Sequence, residues 1–117
     1  AWSTWEASTS KLLQSDKSLH LFDDDKVAEA FARIECHYFM NNGFFDSDNW
    51  LIENINKIKS IPTEIVQGRY DVVCPMVTAW ELHQTLPDSG FHIIQNAGHS
   101  MTEGGIRSKL IELTDIL

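Results

Sequence analysis

The second half of the chain alternates strand-like and helical runs, and this alternation restricts the fold more than any other feature. Beyond Pro62, strands are predicted over Thr63–Gln67 and Phe91–Gln95, and helices over Pro75–Leu86 and Ile106–Leu117. Strands that alternate with helices in this rhythm lie parallel and are joined by a right-handed crossover. The sequence therefore predicts an α/β fold built on a βαβα unit.

The first half, residues 1–58, is predicted to be helical. Its clearest helix follows the aspartates 23–25, since carboxylates cap free N–H groups and complement the helix dipole. Asn41, Asn42 and Gly43 are predicted to end this helix. The apolar residues that repeat along it with helical spacing are Val27, Ala30, Phe31, Ile34 and Tyr38. Looser helical spacing is present among Trp2, Trp5, Leu12 and Leu13, and among Trp50, Ile52, Ile55 and Ile58.

The two halves are therefore expected to form different structural parts, a helical part at 1–58 and an α/β part at 59–117. Two parallel strands leave the sheet edges open and one sheet face uncovered, and both need partners. The sequence also begins at Ala1 rather than at a Met and reaches Trp2 and Trp5 at once. We therefore expect the chain to be part of a longer protein.

Composition and charge exclude several classes of protein. The chain has 117 residues, with 9 Lys and Arg against 17 Asp and Glu and a formal net charge of −8. This acidic balance argues against duplex nucleic-acid binding, which needs clustered basic side chains. No apolar run approaches the roughly 18–20 residues of a membrane span, and no secretory signal pattern is present. The two cysteines, Cys36 and Cys74, are typical of a reducing compartment, so a cytoplasmic protein is expected.

Asp71 and His99 are the first candidates for catalysis. Each lies a few residues beyond a predicted strand, in the Gly-containing turns 68–71 and 96–99. The carboxyl ends of parallel strands meet at one edge of the sheet, so both turns are expected there. A carboxylate beside an imidazole fixes its tautomer and stabilises the imidazolium, and the order Asp then His is typical of an α/β-hydrolase triad. From the residues alone, the alternative that both are ordinary solvated turn residues stays open.

No nucleophile accompanies this pair. The nucleophile elbow of an α/β-hydrolase needs G-x-S-x-G so that the serine projects above the sheet. The nearest match, residues 98–102, lacks the last Gly and contains His99 itself, so Ser100 is a direct neighbour of the proposed base. Cys74 has no histidine nearby in the sequence, and a lone cysteine is more often a small buried apolar residue. We therefore expect the triad to be present only in part.

Metal and cofactor sites are not predicted. His20, His37, His83 and His92 lack the paired spacing of a zinc site. The aspartates 23–25 lack the Gly and the distal Glu of a calcium loop. No Gly-rich phosphate loop occurs, and we expect neither a metal ion nor a cofactor.

Four separate motifs resemble those of one family. Residues 65–75 (Ile-Val-Gln-Gly-Arg-Tyr-Asp-Val-Val-Cys-Pro) resemble the last catalytic segment of the proline iminopeptidases, the prolyl aminopeptidase family of α/β-hydrolases. Residues 98–100 (Gly-His-Ser) and 32–39 (Ala-Arg-Ile-Glu-Cys-His-Tyr-Phe) resemble other segments of that family. Residues 1–6 (Ala-Trp-Ser-Thr-Trp-Glu) resemble the W-x-x-W-E segment of its helical cap. The motifs follow the family's order over nearly the whole chain, which makes the combination specific.

The resemblance implies a C-terminal fragment of an α/β-hydrolase fold, with a helical cap segment at 1–58 and part of the core at 59–117. It implies that Asp71 and His99 are the acid and base of a Ser-His-Asp triad. The family's nucleophile elbow and oxyanion-hole segment lie N-terminal of the cap and outside these residues. Because loss of such groups costs several orders of magnitude in rate, the chain by itself is expected to be inactive.

The resemblance also implies a substrate, a peptide with a free N-terminal proline. Glu6 and Glu35 would hold its protonated α-amino group through charge-assisted hydrogen bonds, and Cys74 would lie close to the proline-binding pocket. An internal prolyl residue has no such amine, so two converging carboxylates would select the end of the peptide. The spacing of Glu6 and Glu35 on separate predicted helices does not by itself show that they converge.

Two other functions stay open. An esterase-like α/β-hydrolase would keep Asp71 and His99 but would have no use for Glu6 and Glu35 as ligands of an amine. A non-catalytic interaction module would use the exposed apolar sheet face to bind a partner or a second copy of itself. If the chain is instead a fragment of a proline-specific peptidase, the expected partner of that face is the missing N-terminal part of the hydrolase.

Overall fold

Helices dominate the first half of the molecule. The computed structural model describes residues 2–13 and 24–116. In the first half, α1 spans Trp2–Thr9, α2 spans Asp25–Met40 and α3 is the single turn Trp50–Glu53, with 3-10 turns at Asn42–Phe44 and Ile55–Lys57.

Helix α2 begins and ends as its flanking residues predict. Asp24 is the N-cap, and its Oδ1 accepts a hydrogen bond from the backbone N–H of Lys26 at 2.9 Å. At the other end, Asn42, Gly43 and Phe44 have φ angles of 49°, 63° and 64°. This left-handed stretch cannot continue a right-handed helix. The predicted capping residue Asp23 lies outside the described residues.

The prediction that Leu12 and Leu13 share a helix with Trp2 is wrong, because α1 ends at Thr9. The hydroxyls of Thr9 and Ser10 donate hydrogen bonds to the carbonyl oxygen of Glu6, at 3.1 and 2.8 Å. Hydroxyl groups that bond back to the preceding turn compete with the helical backbone bonds and favour a helix end. Leu12 and Leu13 follow in a bend.

The predicted helix through Trp50 and Ile58 is also wrong as a single element. Asn54 interrupts it, and its side-chain amide donates to the carbonyl oxygen of Trp50 at 2.8 Å. The side chain thus shares the acceptor that the helix backbone uses. The chain continues as the short 3-10 turn Ile55–Lys57.

The predicted βαβα unit is confirmed. Strand β1 (Glu64–Gly68) pairs in parallel with β2 (Gly90–Ile94), so that Gly68 lies opposite Ile94 at the carboxyl ends. Helix α4 (Met76–Thr85) connects the strands, α5 (Gly104–Thr114) follows β2, and both helices pack against β1.

Element boundaries in this unit differ slightly from the predicted ones. Pro75 is the residue before α4 rather than its first helical residue, with φ −57° and ψ 145°. Helix α5 begins at Gly104, two residues before the predicted Ile106. The predicted last residue, Leu117, lies outside the described residues.

Few apolar side chains are buried. Among residues 2–13 and 24–116, the buried hydrophobic residues are Ala7, Leu86, Ala97, Ile106 and Leu113. The chain exposes 8727 Å², whereas a folded monomer of this mass exposes about 6,400 Å². Large apolar surfaces therefore remain uncovered, as expected for two strands without further neighbours. None of the described helices is both long and apolar enough to span a membrane.

Gly68 lies where the turns after the two strands touch. A Cβ atom at this position would lie 2.8 Å from the carbonyl oxygen of Ala97 and still closer to that of Gly98. Backbone hydrogen bonds join the same turns, from Arg69 N–H to Ile94 O and from Tyr70 N–H to Ala97 O, both at 3.0 Å. The absence of a side chain at Gly68 thus permits the close approach that positions the candidate site.

Candidate active site

Asp71 lies three residues beyond β1, in a turn that holds its carboxylate rigidly. Oδ1 accepts hydrogen bonds from the backbone N–H groups of Val73 and Cys74, at 3.0 and 2.8 Å. Oδ2 accepts from the side-chain amide of the buried Gln67 at 3.3 Å. Only 7% of the Asp71 side chain is exposed, so both oxygen atoms are oriented by the protein rather than by water.

His99 lies in the turn after β2 and faces Asp71. Its Nδ1 is 3.0 Å from Asp71 Oδ2, and 38% of its side chain is exposed. The expectation that the two turns meet at one edge of the sheet is therefore confirmed. Because a carboxylate only accepts hydrogen bonds, Nδ1 carries the proton, and Nε2 of the neutral ring is an acceptor. Within residues 2–13 and 24–116, Nε2 has no hydrogen-bond partner.

The segment after α1 is tied to the His99 turn. The backbone N–H of His99 and that of Ser100 both donate to the carbonyl oxygen of Ser10, at 3.1 and 2.7 Å respectively. The N–H of Ser10 in turn donates to the carbonyl oxygen of Glu6 at 3.0 Å. The first helix, which carries Glu6, thus packs beside the end of the sheet although Ser10 and His99 are 89 positions apart in sequence.

Glu6 and Glu35 converge. Helices α1 and α2 pack together, and the indole N–H of Trp2 donates to Glu35 Oε2 at 2.8 Å. The pKa of Glu6 is raised, most of all by burial and then by a hydrogen bond to Glu35 and by the negative charge of Glu35. The charge of His99 lowers it. Glu6 Oε2 is buried and has no hydrogen-bond donor among the described residues. Two carboxylates that share a site need a proton or a cation between them.

The pKa of Glu6 makes the stability of the chain dependent on pH. Its folded pKa is raised above the unfolded value of about 4.3, so its favourable contribution is fully present below that value and is lost as pH rises through the folded pKa. We expect Glu6→Gln, which cannot ionise, to be more stable than the wild type at pH 7, with this gain shrinking toward pH 4.

Urea unfolding followed by tryptophan fluorescence at both pH values measures this effect. The matched control is Glu29→Gln on α2, whose side chain is 70% exposed and pairs with Arg33. The control is expected to show no gain at pH 7. A Glu6→Gln gain that is equal at pH 4 and pH 7 would contradict the assignment.

An apolar cavity adjoins Glu35. It has a volume of about 410 Å³ and lies between α1 and α2. Glu35 supplies its only charged side chain among the described residues; the other lining residues are Trp2, Ala32, Cys36, Phe39 and Met40. Of the aromatic residues near the two glutamates, Trp2 and Phe39 thus line this cavity, whereas Tyr38 packs edge-on against Phe44. A second cavity of about 360 Å³ lies at the opposite end of the strands, along residues 59–63 and 86–89.

Within residues 2–13 and 24–116, neither Cys74 nor Ser100 has a hydrogen bond to the His99 ring, the contact with a base that activates a nucleophile. Desolvation, and then the negative charge of Asp71, raise the pKa of the Cys74 thiol. A thiol with a raised pKa is largely protonated and unreactive at neutral pH. The hydroxyl of Ser100 is 2.8 Å from that of Thr102. The site thus holds a base and its orienting acid, together with a pair of carboxylates.

Three contributors to the site are not visible in the sequence. Gln67 contacts Asp71 from inside β1. The Ser10 carbonyl and the Glu103 carboxylate contact the His99 turn, because Gly98 N–H donates to Glu103 Oε1 at 2.8 Å. Gln67 lies inside the 65–75 motif, but nothing in the motif shows its hydrogen bond to Asp71. Ser10 and Glu103 lie outside the four motifs, and both link segments that are distant in sequence.

Comparison with known proteins gives the chain its relatives. No protein-family profile matches it. It is 56% identical over 115 residues to a probable proline iminopeptidase of Leptolyngbya boryana, and the match covers 98% of this chain but 36% of that protein. The proline iminopeptidase of Arabidopsis thaliana is 50% identical over 111 residues, which cover 95% of this chain and 29% of the relative. The corresponding protein of Xylella fastidiosa strain 9a5c is 44% identical over 115 residues, 98% of this chain and 37% of its own length. The chain is therefore homologous to the proline iminopeptidases, and it spans about a third of the length of these relatives.

Proposed function

We propose that the chain is the C-terminal part of a serine aminopeptidase of the α/β-hydrolase class that releases proline from the N-terminus of peptides. Residues 1–58 act as a segment of the helical cap, and residues 59–117 as the last part of the core. The observation that carries the proposal is the convergence of Glu6 with Glu35 close to an Asp71–His99 pair. The names of the homologous proteins support the same activity.

The Asp71–His99 geometry supports a role in acyl transfer. Nε2 of His99 takes the proton from the hydroxyl of a serine outside this chain as the serine oxygen attacks the prolyl carbonyl carbon. Asp71 stabilises the imidazolium that forms. His99 then gives the proton to the departing amine nitrogen as the C–N bond breaks, and water later releases proline from the acyl-enzyme.

The two glutamates support recognition of a free amine. A prolyl α-amino group is largely protonated near neutral pH, and a cation between Glu6 and Glu35 satisfies two carboxylates that otherwise repel each other. It also supplies a donor to the buried Glu6 Oε2. The Cys74 side chain, three residues beyond Asp71, is proposed to lie near the proline ring. An esterase whose substrates have no amine would have no use for Glu6 and Glu35 as ligands.

The uncovered apolar surface supports a partner in the remaining part of the hydrolase. The exposed large side chains include Trp2, Phe39, Val72, Trp80 and Met101. Coverage by that part would complete the sheet and supply the serine and the oxyanion hole. Without it, the chain is proposed to be inactive and to be prone to self-association through the same surface. The exposed Cys36 and Cys74 thiols support a reducing, cytoplasmic location.

A chimeric enzyme tests the proposed function. In it, this chain replaces the segment that it matches in the Leptolyngbya boryana relative. The substrates are proline p-nitroanilide, its N-acetyl derivative and p-nitrophenyl acetate. We expect the chimera to hydrolyse the free proline substrate at least a hundredfold faster than the acetylated one, and the isolated chain to hydrolyse neither.

Each alternative has its own outcome in this experiment. Equal rates on free and acetylated proline would overturn the amine site and favour an esterase-like enzyme. A folded chimera without any of the three activities would overturn the catalytic proposal. Hydrolysis by the isolated chain that disappears in His99→Ala would overturn its proposed inactivity.

A further inference from the structure

Glu103 bridges two distant segments at the candidate site. Its Oε1 accepts a hydrogen bond from Gly98 N–H at 2.8 Å, and its Oε2 accepts one from Leu12 N–H at 3.1 Å. Gly98 directly precedes His99, and Leu12 follows the helix that carries Glu6. One carboxylate thus links the turn of the proposed base to the helix of the proposed amine ligand.

The bridge closes a tight contact between two backbones. A Cβ atom at Gly98 would lie 3.0 Å from the nitrogen of Leu12 and 3.3 Å from the carbonyl carbon of Lys11. The Ser10 carbonyl, on the same segment, accepts from the N–H groups of the turn. Gly98 is buried, so its N–H depends on Glu103 for a hydrogen-bond partner among the described residues.

Glu103 does not use its carboxylate to cap the following helix. It directly precedes α5, yet its side chain makes no capping hydrogen bond there. Both oxygen atoms are instead directed at N–H groups outside α5. The two N–H groups donate to different oxygen atoms of Glu103. A carboxylate supplies an acceptor at both positions, whereas a glutamine amide has an oxygen at one and a donor NH₂ group at the other.

We propose that Glu103 is a positioning residue that fixes the separation between the amine-binding Glu6 and the His99 imidazole, and so selects the bond one residue from the free amine. This inference rests on the proposed function. In an amino acid, the α-nitrogen and the carbonyl carbon are about 2.5 Å apart. An anchored amine therefore places the first carbonyl within a narrow range, and a 1 Å error in placement can cost about 10²-fold in rate.

The test uses the chimera with Glu103→Gln, which is nearly isosteric but presents an NH₂ group to one of the two N–H donors. We expect kcat/KM for proline p-nitroanilide to fall at least tenfold relative to kcat/KM for p-nitrophenyl acetate, with the loss mainly in kcat. The ratio of the two substrates on one preparation does not depend on the fraction of folded enzyme, so a merely structural role would leave it unchanged. Glu112→Gln on α5, an exposed residue paired with Lys109, is the matched control.

Glu103→Asp is the second variant, because it keeps the charge but retracts the carboxylate by one methylene. It is expected to give a substrate ratio between those of the wild type and Glu103→Gln, and it decides the matter if the glutamine variant does not fold. An unchanged ratio in the folded variants, or an equal change in Glu112→Gln, would overturn the role of Glu103. A wild-type chimera without preference for free proline would instead overturn the proposed function, before any variant is measured.

Discussion

Asp71→Asn in the chimera is expected to lower kcat for proline p-nitroanilide by roughly 10³- to 10⁴-fold, the scale seen when the acid of a triad is replaced by its amide. The surrounding hydrogen bonds determine how the asparagine sits. The N–H groups of Val73 and Cys74 both point at the Oδ1 position, so the amide oxygen must lie there. The NH₂ group then faces Nδ1 of His99 and forces the proton onto Nε2, the nitrogen that accepts a proton from the nucleophile in the proposed mechanism.

The control for this prediction is Asp88→Asn. Asp88 is an exposed residue before β2, at the opposite end of the strands, and its variant is expected to keep kcat within twofold. Steady-state kinetics with thermal unfolding of both variants separates loss of chemistry from loss of fold. If Asp71→Asn keeps more than a tenth of the wild-type kcat, Asp71 does not orient the base.

Replacing Glu6 or Glu35, the proposed amine ligands, is expected to have the second large effect. Glu6→Gln or Glu35→Gln is expected to lower kcat/KM for the free proline substrate by roughly 10- to 100-fold, since a hydrogen bond to a charged group contributes about 1.5–3 kcal/mol. Turnover of p-nitrophenyl acetate, which has no amine, is expected to change less than threefold. The two substitutions together are expected to be less than additive, because both carboxylates act on one cation.

Glu29→Gln on α2 is the matched control for the Glu6 and Glu35 variants. It removes an exposed carboxylate of the same helix as Glu35 and is expected to leave both activities unchanged. Measurement of kcat/KM for both substrates on each variant provides the test. Equal losses on the ester and on the proline substrate would show that the glutamates stabilise the fold rather than bind the amine of the substrate. The kinetic measurements and the pH-dependent stability of Glu6→Gln both test the same site, in which the folded chain is less stable with Glu6 charged than with Glu6 neutral.

Local patterns predicted the elements of this chain with uneven success. Helix α2 follows from an aspartate cap and a regular apolar repeat, and the parallel strands follow from two short runs separated by a helix. The helix through Trp50 was mispredicted because apolar spacing takes no account of polar side chains. The side-chain amide of Asn54 competes with the backbone for the carbonyl oxygen of Trp50. The extension of α1 to Leu13 failed for a similar reason, since the hydroxyls of Thr9 and Ser10 bond back to Glu6.

The residues of the candidate site also differ in whether the sequence alone predicts them. Asp71 and His99 are visible in the sequence because each follows a strand, and strand ends meet at one edge of a parallel sheet. The convergence of Glu6 with Glu35 depends on how α1 packs against α2, and no spacing along the chain encodes it. The contribution of Glu103 depends on hydrogen bonds to Gly98 and Leu12 and is equally invisible.

By itself, the sequence determined the βαβα order, the Asp71 and His99 turns and, through its motifs, the family that the chain resembles. These follow from local propensities and from the short-range geometry of strands and turns. Only the tertiary structure decided that two carboxylates from separate helices lie together beside the His99 turn. The physical reason is that burial and hydrogen bonding between distant segments, such as the Ser10 carbonyl with His99 and Ser100, arise from packing rather than from neighbouring residues.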